Sequence, residues 1–80
     1  MKKEDMTREE KEFARKVGER MRQIRHSCKL TQMQVYVQTS VTPNTISNYE
    51  FGERTPSLCR MYRLAKCYGC KVSDFVEGVV

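Results

Sequence analysis

The spacing of apolar residues along the chain is helical nearly throughout. Phe13, Val17, Met21, Ile24 and Cys28 recur at steps of three or four, and Glu9, Glu12, Lys16, Glu19 and Arg22 fill the remaining faces. Thr7 and Glu10 ahead of that stripe form a Thr-x-x-Glu capping box, which predicts a helix start at residue 7. Lys29 stands near its C-terminal end, where a cation suits the helix dipole. Thr31 and Gln34 repeat the capping pattern and predict a second helix ending near Thr39. Thr42-Pro43 is a cap followed by proline at the first helical position, where the missing N–H costs nothing. It opens a third helix that turns Ile46 and Tyr49 inward and stops at Gly52. Thr55-Pro56 predicts a fourth start in the same way, with Leu58, Met61, Tyr62, Leu64, Ala65 and Tyr68 on the apolar side and Gly69 as the stop. A short last helix over 72–76 places Phe75 and Val76 on its apolar face. The fold class is therefore all-α: four or five short helices around one core, without a sheet.

Helices two and three are each about two turns long and do not hold alone in water, so packing must hold them. They are joined by Ser40, Val41 and Thr42; burying Val41 and Ile46 would cross them steeply. The outer face of helix three then carries Asn44, Ser47 and Asn48 in place of the usual Lys and Glu of a solvent face. Asn pairs with adenine in the major groove, and Ser bonds to several bases.

Eighty residues allow one domain: a charged tail over 1–6, the domain over 7–77 and a C-terminal tail over 78–80. A net charge of +5 favours a polyanionic partner. No stretch is apolar enough to span a membrane, and the charged start lacks a signal core, so a cytoplasmic location is expected. Cys28, Cys59, Cys67 and Cys70 read first as small buried hydrophobes. The Cys67–Cys70 CxxC falls at a helix end with no strand before it, unlike a redox motif, and the four cysteines do not make two CxxC knuckles. Neither a metal nor a cofactor is expected. His26 stands alone, and no Ser/His/Asp or Cys/His/Asn order surrounds it, so no enzyme is expected.

Leu30-Thr31-Gln32, Val41-Thr42, Thr45 to Glu50, Gly52-Glu53-Arg54, Pro56-Ser57-Leu58 and Leu64-Ala65-Lys66 together resemble the phage-repressor and Cro family of helix-turn-helix domains. The resemblance runs from about Val17 to Phe75 and implies a lambda-repressor-like fold that binds double-stranded DNA as a transcriptional regulator, most simply a repressor. It implies base contacts from Pro43, Asn44, Ser47 and Asn48, and phosphate contacts from Gln32, Thr42, Thr45 and Arg54. It also implies a structural ion pair between Arg25 and Glu50.

Departures from the family pattern set further expectations. Tyr36 stands where a small residue is usual, so its ring must tilt outward or push helices two and three apart. Ser40 replaces a glycine at a position wanting positive φ, at about 1 kcal/mol. Lys71 stands where Ser commonly caps the last helix. The recognition helix has no Arg or Lys, so a preference for A·T-containing sites is expected, with helix one and its tail supplying the positive field through Arg22, Lys29 and Lys2. A homodimer is expected through Phe75, Val76, Val79 and Val80, or through the Met33 and Val37 patch. The alternative function is a protein-interaction module, an antitoxin or adaptor that kept the fold.

Overall fold

A computed structural model describes residues 6–79. Five helices follow one another: α1 (Arg8–Ser27), α2 (Gln32–Thr39), α3 (Pro43–Glu50), α4 (Leu58–Tyr68) and α5 (Ser73–Val76), with no strand among the described residues. The first three caps form as the sequence predicts. Thr7 and Thr31 each accept from the N–H three residues on while Glu10 and Gln34 reach back, and Thr42 accepts from Thr45 ahead of Pro43. Val35, Val41, Ile46, Met21, Leu64 and Phe75 are almost wholly removed from water and form the centre of the core. The α2–turn–α3 unit is therefore clamped between α1 on one side and α4 on the other.

Two turns depend on left-handed backbone. Ser40 closes α2 at φ 67°, so the serine bears the strain that its position predicts. Gly52, at φ 77°, ends α3, and a Cβ there would meet the backbone of Arg15. Gly18 has a different role. It lets α1 approach the end of α3 so closely that a methyl group would run into the carbonyl oxygens of Tyr49 and Glu50. Tyr36 is 41 % exposed while Val35, Val41 and Ile46 beside it stay buried. The ring has tilted outward, and α2 and α3 have not been pushed apart.

Several expectations are corrected. Thr55-Pro56 does not start α4; Ser57 does, its hydroxyl accepting from the Arg60 N–H at 3.1 Å. A better cap two residues later outcompetes the Thr-Pro pair. Leu58 then falls at the first helical position and is exposed, and Tyr62, on the flank of the buried stripe, is exposed too. Phe13 is only partly covered, because the twenty-residue α1 is about 30 Å long and overhangs the eight-residue helix it packs on. Phe75 is fully buried, its ring edge-to-face with Tyr68 at 6.3 Å, so it cannot line a dimer surface. Val80 and Lys2 lie outside the described residues. At α5 no side chain caps the helix start; instead the Asp74 carboxylate accepts from the Lys71 N–H at 2.9 Å.

Candidate nucleic-acid interface

The outer face of α3 is assembled from the inside. Ile46 and Tyr49 anchor its inner face in the core, and Arg60 on α4 donates to the Tyr49 hydroxyl at 3.1 Å. Its C-terminal end is held by the buried pair that the resemblance implies. Arg25 Nε lies 2.6 Å from Glu50 Oε2 and Arg25 Nη2 lies 3.0 Å from Oε1, a two-pronged contact between α1 and α3. Arg25 Nη1 also donates to the Leu30 carbonyl at 2.8 Å, tying the α1–α2 turn to the same group. The Glu50 hydrogen bond raises the already high pKa of the guanidinium, so Arg25 stays charged at any workable pH.

With that end fixed, Asn44, Ser47 and Asn48 share one outward face at i, i+3 and i+4 spacing. Asn44 is exposed, while Pro43, Ser47 and Asn48 are half-buried. The Asn44 and Asn48 amides make no hydrogen bond to another described side chain, so donors and acceptors are both available outward. At the N-terminal end, the Thr42 hydroxyl accepts from the Thr45 N–H and donates to the Thr45 hydroxyl at 2.9 Å. That leaves the Thr45 hydroxyl proton free to donate outward, beside a helix N-terminus that favours anions. Arg54 is exposed in the loop after α3, and its own N–H is tied to the Asn48 carbonyl.

Gln32 is placed differently from the role the resemblance implies. Its Nε2 donates across to α3, to Ser47 Oγ at 3.2 Å and to Glu50 Oε1 at 3.3 Å. Both amide protons are thus engaged within the protein. The sequence pattern carried no sign of this brace, because it joins residues fifteen and eighteen positions apart through the α2–α3 crossing.

Sequence reasoning also missed where much of the positive charge lies. Arg15 is paired with Glu12 and Glu19, Arg20 donates to the Asp74 and Glu77 carbonyls, and Arg25 is buried. Arg22 and Lys29 are exposed as expected. Between Arg54 and Ser73, however, the chain carries Arg54, Arg60, Arg63, Lys66 and Lys71 and no acid at all, a run visible in the sequence once acids are counted alongside cations.

The cysteines are all free thiols. Cys28 donates to the Tyr68 carbonyl and Cys67 to the Gln38 amide oxygen. Burial pushes the Cys67 and Cys70 thiols up, the opposite of what a reactive CxxC requires. Iodoacetamide at about pH 8 is expected to label exposed Cys59 first, with Cys67 and Cys70 slow, as peptide mass mapping would show. A thiol whose folded pKa is raised contributes stability below its unfolded pKa and loses it as pH rises through the folded value. Burial acts in the same direction on the Tyr68 hydroxyl. Thermal stability should therefore hold through neutral pH and decline above about pH 8.5.

Residues 21–75 match the family described as helix-turn-helix. Among solved structures, the DNA-binding domain of BldD is similar at a TM-score of 0.75 and 26 % identity, covering 89 % of this chain and 99 % of that one. No curated protein matches the chain. No helix among the described residues is long and apolar enough to cross a membrane.

Proposed function

Because the chain belongs to the helix-turn-helix family, we propose that it is a cytoplasmic transcriptional regulator, a repressor in its simplest form, that reads double-stranded DNA by laying α3 in the major groove. The observation that carries this reading is the outer face of α3: short amides and a hydroxyl, uncharged, on a helix locked at its C-terminal end by Arg25–Glu50. Such a face offers donors and acceptors to base edges without a charge of its own. Asn44, Ser47 and Asn48, with Pro43 beside them, contact bases. Thr42, Thr45 and Arg54 hold phosphates. The similarity to the BldD DNA-binding domain supports the DNA-binding part of this reading.

Gln32 keeps its place at the phosphate edge, through its backbone N–H at the first position of α2. Its side chain braces Ser47. By donating to Ser47 Oγ, it directs the serine proton outward, so Ser47 acts as a donor to an acceptor on a base. Gln32→Ala is then expected to relax discrimination at the Ser47 base pair by roughly three- to tenfold, the scale of one hydrogen bond. The slope of log K against log salt should stay the same. A uniform loss across all sequences would instead mean that the side chain itself holds a phosphate.

The whole reading is tested by selecting bound sequences from random duplex DNA and then titrating the selected duplex at two salt concentrations. A shared A·T-containing motif with affinity falling steeply in salt is expected. Unenriched pools would refute it. A homodimer would set two α3 helices about 34 Å apart on a palindrome. With Phe75 buried, its surface is Val76 and Val79 beside Phe13, or the exposed Met33 and Val37 patch, and sedimentation at rising concentration tests it.

One observation favours the alternative, a protein-interaction module: Met33, Tyr36 and Val37 lie exposed together on α2. Loss of a partner on charging Val37, with no duplex bound at any salt concentration, would establish it.

A further inference from the structure

The α4 helix carries cations that the DNA-reading face does not use. Arg63 and Lys66 line a surface groove of about 550 Å³ between α4 and the C-terminal half of α2, together with Gln38, Tyr62, Cys59 and Cys67. Neither cation has a carboxylate within ion-pair distance among the described residues. Arg63 Nη1 makes one long hydrogen bond, 3.4 Å to the Thr39 carbonyl, so most of its donor fork is open. Lys66 Nζ stands 5.7 Å from the centre of the Tyr62 ring, and that tyrosine is 59 % exposed. No acid follows Arg63 and Lys66 in the chain until Asp74, and none of the residues lining the groove is acidic, so its own lining is net positive.

We propose that this groove docks an acidic protein segment: an extended peptide offering carboxylates to Arg63 and Lys66 and an aromatic side chain to Tyr62. Charge complementarity selects carboxylates, since Arg takes one through two parallel N–H bonds and Lys takes one as a point charge. The uncharged lining selects a peptide over a nucleic acid. A phosphate backbone uses cations and donors and leaves the exposed face of the Tyr62 ring uncovered, whereas a peptide side chain can lie on it. The groove also shares no lining residue with the α3 face or with Thr42, Thr45 and Arg54. This proposal does not depend on the DNA reading.

The test uses the full chain and a fluorescein-labelled peptide, Glu-Glu-Phe-Glu-Glu with blocked ends, beside the same peptide with Gln in place of Glu. Binding is followed by anisotropy for the wild type and for Arg63→Gln/Lys66→Gln, whose exposed side chains leave the fold intact, as a melting curve verifies. The acidic peptide should bind the wild type roughly tenfold or more tightly than it binds the variant, and should outbind the glutamine peptide similarly. The salt slope for duplex DNA should be the same in both proteins. Equal binding to wild type and variant, or no binding of the acidic peptide, overturns the proposal. So does a salt slope that falls by about one per cation removed, which would assign the groove to DNA phosphates. Failure of duplex binding in the wild type would refute the DNA reading and leave the peptide comparison standing.

Discussion

Arg25→Ala or Glu50→Ala is expected to destabilise the domain by about 3–5 kcal/mol, because either change leaves a buried charge without its partner. A domain of this size holds on the order of 4–12 kcal/mol in total, so either single variant approaches the limit of folding. The loss spreads beyond one contact. Without Glu50, the Arg25 guanidinium keeps only the Leu30 carbonyl and His26, and Gln32 keeps only Ser47. Without Arg25, the carboxylate keeps only Gln32. Arg25→Lys is not a rescue, since an ammonium cannot make two parallel bonds to Glu50. The paired replacement Arg25→Met/Glu50→Leu should recover most of the loss, as apolar substitutes for buried pairs commonly do. Urea denaturation measures all four variants, with an unchanged m-value showing that the shift is in stability. A single variant losing under about 1 kcal/mol would show that water reaches the pair.

The second large effect falls on recognition and spares stability. Asn44→Ala/Asn48→Ala should lower the preference for the selected sequence over random duplex by about 1–3 kcal/mol per side chain, the worth of an amide pair on an adenine edge. Together that is a loss of roughly thirty- to twenty-thousand-fold in the specificity ratio. Affinity for random duplex should barely move, and the salt slope should not, because no cation is removed. The melting temperature should stay put as well, since neither amide bonds to another described side chain. Competition titrations against random duplex read the ratio directly. A fall in affinity that is equal for all sequences would take base reading away from these residues.

Much of this was legible in the chain because its determinants are local. Capping boxes at Thr7 and Thr31, the Thr42-Pro43 start and the glycine stop at Gly52 each act within four residues, and all form as read. Asn44, Ser47 and Asn48 were legible for the same reason, since helical spacing alone puts them on one face. The failures share a different cause. Thr55 and Ser57 compete for one helix start, and Pro56 after Thr55 makes the weaker cap look like the stronger signal. Phe75 follows an apolar pattern that fits a dimer surface or a core equally well; the packing of α5 on α1 and of Tyr68 beside the ring decides. Phe13 depends on how far α1 outreaches α3, and the Gln32 brace depends on the angle at which α2 crosses α3. Those are facts of tertiary geometry, which residue type and spacing do not encode.

The most direct measurement is a backbone amide NMR titration of the isotopically labelled chain with its selected duplex. Shifts should concentrate at Gln32, Thr42 to Asn48 and Arg54, while Tyr62, Arg63 and Lys66 stay quiet. Shifts that leave residues 43–48 untouched while the duplex is bound would mean another surface meets the DNA, and α3 would lose its role as reader.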